Sequence, residues 1–277
     1  MNPHEYCQSK AAASGSSFYY SFLFLPPERR RAITALYAFC REVDDVVDEC
    51  TDAAVAHIKL SWWRKELVAV FHGTPQHPVA RALADIAPRF NLAEERLAEI
   101  IDGMEMDLHQ NRYPSFDALK LYCHRVAGVV GLLSAEIFGY RDPRTLEYAA
   151  DLGMAFQLTN IIRDVGEDAR RDRIYLPLDE IGRHGIGVTD ILQARQSDNF
   201  KRLMEFQIER ALEYYQAAFA KLPAGDRGAQ RPGLIMAAIY QATLDEIRRD
   251  GCRVLKQRVS LTPIRKLWLA WRTWIRG

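Results

Sequence analysis

Apolar side chains recur along this chain at helical spacing, and no stretch alternates apolar and polar residues at period two between hairpin turns. Over 28–50, Ile33, Leu36, Tyr37, Cys40, Val43 and Val47 follow one face, with Pro27 near the first turn. Further helices are predicted over 53–71, 78–89, 93–110 and 115–138, the first of these broken by Gly73-Thr74-Pro75. The 115–138 helix should be interrupted around Gly128 and Gly131, small residues that let a backbone or ligand come close. Helices over 143–166, 199–222 and 232–254 complete the pattern. Residues 1–17 read as polar and small, and an aromatic run at 18–22 leads to Pro26-Pro27. No linker or low-complexity tract divides the chain. The expectation is one all-α domain spanning 1–277.

Two acidic stretches stand out against this background. At about 100° per residue, Tyr37, Arg41, Asp44 and Asp48 share one narrow sector of the first long helix, with Asp45 to one side. Gln157, Asn160, Asp164 and Asp168 share a sector of the 143–166 helix, with Glu167 at the edge and Arg163 further round. Carboxylates stacked one turn apart repel, so something must compensate, and a divalent cation is the usual answer. Apolar residues flank both stripes, which points to the lining of an internal cavity rather than a solvated face. Oxygen donors without histidine suit Mg²⁺ sharing its shell with phosphate, and argue against zinc or non-haem iron. Neighbouring arginines, Arg41, Arg163, Arg170, Arg171 and Arg173, read either as ion pairs or as a diphosphate clamp. The aromatic residues around these stripes are core or the walls of an apolar channel. Tyr37, Tyr122 and Tyr240, with their polar tips, fit a cavity better than the phenylalanines.

Composition removes several alternatives. The chain is 48% hydrophobic and 26% charged with a net charge of +1, so no global field argues for nucleic acid. No apolar run reaches the length expected of a membrane span, and the first ten residues lack a signal-peptide core. Five scattered cysteines without a Cys-x-x-Cys suggest reduced thiols and a cytoplasmic enzyme.

Several ordered motifs carry a family resemblance: Ser17-Phe18; Tyr37, Arg41 and Asp44-Asp45-Val46-Val47-Asp48; the run from Tyr122 to Gly131; the run from Gln157 to Asp168; and Arg173-Ile174-Tyr175-Leu176-Pro177. Over residues 14 to 256 the chain resembles the squalene/phytoene synthases, most of all the bacterial presqualene diphosphate synthases of hopanoid biosynthesis. That likeness implies an isoprenoid synthase bundle of helices around a central cavity, and head-to-head condensation of two farnesyl diphosphates to presqualene diphosphate. It implies Mg²⁺, or Mn²⁺ in its place, held by Asp44 and Asp48 on one wall and by Asn160, Asp164 and Asp168 on the other. It makes Arg41 and Arg163 diphosphate contacts, and Tyr37, Tyr122, Gln157 and Tyr240 cavity residues. Ser17 and Phe18 become part of a flap, and Arg258 a distal diphosphate contact. Without a nicotinamide-binding signature, no NADPH step is expected.

Rival readings are a phytoene synthase using two geranylgeranyl diphosphates, a squalene synthase that completes the NADPH reduction, a cyclase or chain elongator using one allylic diphosphate, or a non-catalytic scaffold. The intact acid stripes argue against the scaffold. At the C-terminal end, Ile264, Leu267, Trp268, Trp271, Trp274 and Ile275 fall on one helical face, and Arg265, Lys266, Arg272 and Arg276 on the other. Residues 263–277 therefore read as an amphipathic tail lying on an anionic membrane surface, or as a terminal helix docked on the domain or in a dimer. The sequence assigns no oligomeric state.

Overall fold

Proline and small polar caps start most of the helices where the periodicity places them. The computed structural model describes residues 2–13, 17–50 and 52–276, with the backbone alone for Ser17, Tyr19 and Arg276. Helix α1 spans Pro3–Ala13 and α2 spans Ser17–Phe22. Pro27 opens α3, Pro27–Glu49. Asp52 accepts from the Ala54 N–H to cap α4, Ala53–His72. Next come α5, Pro78–Ile86, and α6, Glu94–His109. Ser115 caps α7, Phe116–Cys123, which continues through a π-helical turn at His124–Gly128 into α8, Val129–Phe138. Helix α9, Arg144–Arg170, is followed by the short α10, Leu178–Arg183, and α11, Val188–Leu192. Ser197 caps α12, Asp198–Lys221. A 3-10 turn at Ala224–Asp226 leads to α13, Arg231–Arg249, and then α14, Pro263–Arg276. Among the described residues the only β pairing is an isolated bridge between Arg112 and Ile174.

Several of these boundaries differ from the periodicity. Helices α1, α2, α10 and α11 were not expected. Helix α5 stops short of 89, and α13 stops short of 254. The expected interruption between 115 and 138 is a π turn rather than a break. By length and composition, Phe116–Phe138 is apolar enough to cross a membrane, contrary to the expectation that no stretch would be. It instead packs against other helices, with Leu119, Tyr122, Cys123, Leu133 and Ile137 buried.

Two apolar cores flank a seam. One is built mainly from α3 to α6 and α8, with Leu36, Phe39, Leu60 and Ile101 fully buried. The other is built from α7, α9, α12 and α13 around Tyr148, Tyr215 and Phe200. Glycine sets how closely the seam closes. A Cβ on Gly131 of α8 would collide with the Ala149 carbonyl oxygen of α9, and one on Gly153 with the Ala127 carbonyl oxygen. The close approach read from the small residues is thus one backbone lying on another. A cavity of about 170 Å³ remains between the cores, walled by α2, α3, the π turn, α8, α9 and α13.

Candidate active site

Helices α3 and α9 bring the two acidic stripes to the polar end of this cavity. The apolar stretch is lined by Phe22, Ile33, Leu36, Val130, Leu152 and Met236. Tyr37, Gln157 and Asn160 also line it, one or two turns along their helices from the carboxylates. The ring of Phe18 lies 5.7 Å from that of Tyr37 and 6.4 Å from that of Phe156. Phe18 therefore covers the cavity from α2, where the flap was expected. The side chain of Ser17 lies outside the described residues.

Guanidinium meets Asp44, Asp45, Asp48 and Asp164. Arg41 bridges to Asp44 and Asp45 on its own helix. Asp48 accepts from Arg173 at 2.8 Å and pairs with Arg171 at 2.9 Å. Asp164 accepts from Arg163 Nε at 2.8 Å and from Arg258 Nε at 2.9 Å. Arg258, expected as a distal diphosphate contact, pairs here with Asp164 and, at 3.5 Å, with Glu167. Arg163 lies over the Tyr240 ring, 6.0 Å from its centroid.

Neither Tyr122 nor Tyr240 lines the apolar cavity. Both are buried beside it and hold charged neighbours instead. Tyr122 donates to Asp107 Oδ2 at 2.9 Å, and Tyr175 donates to Asp107 Oδ1 at 2.8 Å. The rings of Tyr122 and Tyr175 are stacked 5.1 Å apart.

The carboxylates remain under-compensated despite these contacts. Burial, then repulsion from Asp48, pushes Asp44 up to about 6. Burial, then Asp164 and Asp107, pushes Asp168 up to about 8, with Asp48 of the opposite helix adding to the effect. Asp107 is pushed up to about 7, chiefly by burial. Asn160 Oδ1 is buried with no hydrogen-bond partner, while its amide donates to Gln157 Oε1 at 3.3 Å. An orphaned carbonyl beside crowded carboxylates is the donor set a hard divalent cation fits, and positive charge there would relieve both costs. A separate grouping, His57, Glu105 and His109, holds donor atoms within 4.8 Å of one another on α4 and α6 and takes no part in either stripe.

The family model for squalene/phytoene synthases matches residues 11–265. The chain belongs to the squalene/phytoene synthase family. Among its curated relatives, the phytoene synthase of Arthrospira platensis is 37% identical, covering 95% of this chain and 90% of its own length. The 15-cis-phytoene synthase of a Synechocystis species is 36% identical, covering 99% of this chain and 85% of its own. Among solved structures, a dehydrosqualene synthase bound to a ligand superposes with a TM-score of 0.87 at 28% identity, covering 98% and 95% of the two chains. Squalene synthase HpnC from Alicyclobacillus acidocaldarius gives 0.79 at 28% identity, covering 90% and 94%. An all-α isoprenoid synthase bundle around a central cavity, and prenyl-transfer chemistry, follow from membership of the family.

Asp107 is the part of the site that periodicity missed, and Tyr175 and Arg173 of the last motif meet it. Asp107 lies two residues from Glu105 in a helix that reads as an ordinary amphipathic segment. Its only sequence signal is an acid among apolar residues in Gly103-Met104-Glu105-Met106-Asp107.

Proposed function

We propose that this enzyme joins two molecules of geranylgeranyl diphosphate head to head, releasing one diphosphate and one proton to form a cyclopropylcarbinyl diphosphate, which then loses its own diphosphate and a second proton to give a phytoene-type product. The observation that carries the condensation is the convergence of two unlike acid stripes on Arg173 at the polar end of an apolar cavity. The curated relatives favour the longer substrate over the farnesyl diphosphate and presqualene diphosphate reading of the sequence. Farnesyl diphosphate stays as the second reading because the two solved structures at 28% identity are a dehydrosqualene and a squalene synthase.

Asp44, Asp48, Asn160, Asp164 and Asp168 would hold Mg²⁺, or Mn²⁺ in its place. When bound, the metal supplies positive charge for the departing diphosphate. Arg41, Arg163, Arg171, Arg173 and Arg258 already surround the carboxylates and have fork donors that match phosphate oxygens. Phe18, Tyr37 and Phe156 present ring faces and edges to the cavity, where they exclude water from an allylic cation and stabilise it by their quadrupoles. The two stripes differ in company, Tyr37 and Arg41 against Gln157 and Asn160. That asymmetry suits two diphosphates released at different steps.

The test is to incubate the purified protein with each prenyl diphosphate and Mg²⁺, with and without NADPH. A forty-carbon product from geranylgeranyl diphosphate, formed regardless of NADPH, is expected. Presqualene diphosphate formed faster from farnesyl diphosphate would restore the second reading, and squalene formed only with NADPH would add a reductive step. No product from either substrate would dismiss the condensation.

A further inference from the structure

Helix α14 is docked with its polar side inward. Arg265, Lys266, Leu269, Ala270 and Thr273 lie on the side that meets the protein, with Ala270 fully buried. Arg265 pairs with Glu246 of α13 at 2.6 Å, and Lys266 sits 5.7 Å from the ring centroid of Tyr20 in α2. The opposite side carries Ile264, Leu267, Trp268, Trp271 and Ile275, all exposed, with Trp274 at its border against Phe24. A surface helix of a globular protein turns its apolar stripe to the core. This one does the reverse, exposing Ile264 by 80% and Trp271 by 55%. An apolar area of this kind on a single helix marks a binding surface.

We infer that α14 is a docking face for an anionic lipid bilayer. Arg265 is paired with Glu246 and Lys266 lies on Tyr20, which leaves Arg272, exposed at the edge of the apolar face of a helix with no acid, to answer a negative surface. Arg272 lies 5.1 Å from the centroid of the Trp268 ring, an arrangement that keeps a cation at the border of the apolar face. Tryptophan beside arginine is the composition of the headgroup region, where one end of the side chain is apolar and the other wet. A second copy of the chain fits less well. A two-fold contact across the apolar face of α14 would bring Arg272 of each copy to the same seam with no acid of the helix to answer it.

The docking face has a defined position relative to the cavity. Helix α14 rests on α2 and α13, and these two elements supply Phe18, Phe22, Gly233 and Met236 to the cavity wall. Phe24, just beyond α2, stacks on Trp274 with centroids 5.5 Å apart. A bilayer held on α14 therefore lies one helix layer from the apolar cavity, which is where long hydrocarbon chains must enter and leave. This last step rests on the prenyl reading, whereas the docking itself does not.

The full-length protein should co-sediment with vesicles of phosphatidylglycerol and phosphatidylcholine, and less with vesicles of phosphatidylcholine alone. Binding should weaken with salt and shift the tryptophan emission to the blue. In the double variant Trp268→Glu/Trp271→Glu the partition coefficient should fall about tenfold or more. Arg272→Glu, which keeps the apolar face, should weaken binding to the anionic vesicles selectively. Both variants should keep the far-UV dichroism of the parent. Wild-type protein that stays in the supernatant with anionic vesicles would overturn the proposal. So would a double variant that binds as well as the parent, or a parent dimer that the double variant dissolves without any vesicle affinity in either. None of these readings needs turnover, so a failed condensation assay leaves them separate.

Discussion

Arg173 donates to Asp48 Oδ1 at 2.8 Å and to the Val47 carbonyl at 3.0 Å, tying the loop after α9 to the last turns of α3. The same guanidinium lowers the proton affinity of Asp44, Asp107 and Asp168, which crowd around it from three helices. It is the common counter-ion of the site. Arg173→Gln should lower turnover by on the order of a hundredfold, because the carboxylates it neutralises repel one another and their geometry opens. The cost in stability should be about 1–3 kcal/mol. Product formation and chemical denaturation measured on the same preparation separate the two effects; turnover that survives intact would remove Arg173 from the site.

Removing one acid from either stripe should abolish turnover while leaving the fold. Asp44→Ala and Asp168→Ala are the cleanest probes, since each loses a side chain whose charged form burial already disfavours. Unfolding curves of the metal-free variants should match or exceed the parent. Retained activity in either purified protein is incompatible with the metal assignment.

Asn160→Leu separates a ligand from a structural amide. The Oδ1 atom has no partner to lose, and only the 3.3 Å contact to Gln157 disappears. The Mg²⁺ concentration for half-maximal activity should rise about tenfold or more, with thermal stability unchanged or slightly higher. A large loss of stability with an unchanged Mg²⁺ requirement would make the residue a packing amide.

The pH dependence of the metal-free protein follows from three raised carboxyls, Asp44 at about 6, Asp107 at about 7 and Asp168 at about 8. Folded, each holds its proton to a higher pH than the unfolded chain does, so the folded state binds more protons between roughly pH 4 and pH 8. Their contribution to stability is greatest below that window and is lost as pH rises through it. Melting in EDTA should therefore fall from pH 5.5 towards pH 8.5, to an extent on the order of a few kcal/mol. Mg²⁺ should restore more at pH 8 than at pH 6. Asp107→Asn should flatten the EDTA curve between those limits.

Tyr148 probes the far end of the cavity. It lies twelve residues before Asn160 on α9, roughly 18 Å along the axis, and its buried hydroxyl has no hydrogen-bond partner. Tyr148→Phe should stabilise the protein by about 1 kcal/mol, read as a small rise in melting temperature. Tyr148→Ala should shift kcat/KM towards the longer of two prenyl diphosphates, and unchanged selectivity would place chain-length control elsewhere.

The long helices and both acid stripes were legible because each is a local pattern: a 3.6-residue period, a capping residue, carboxylates one turn apart. The glycine crossing at Gly131 also followed from local chemistry, whereas Phe18 over the cavity came from the family resemblance. Asp107 was not legible, because its partners Tyr122 and Tyr175 lie 15 and 68 residues away and only packing joins them. Tyr122 and Tyr240 were expected in the cavity on their polar tips, but those tips turn to Asp107 and to the neighbourhood of Arg163. Short α1 and α2 were missed for a different reason. They are held by contacts with α3, α5, α13 and α14 rather than by an apolar period of their own. The amphipathic period of α14 was plain, but which side faces inward is decided by Glu246 and Tyr20, neither of them nearby in sequence.

The glycine crossing of α8 and α9 gives the cavity a fixed bore. Where Gly131 meets Ala149 and Gly153 meets Ala127, the two walls touch through main chain, and no rotamer can widen or narrow the gap. Adaptation to a fatter substrate is closed off at that level, since any added carbon there forces whole helices apart. Variation in the length of the hydrocarbon is the freedom that remains, and it has to be worked out by trimming or enlarging side chains along the bore. Such an enzyme acts on its substrates as a gauge does, strict about a chain's girth and open to a change in its reach.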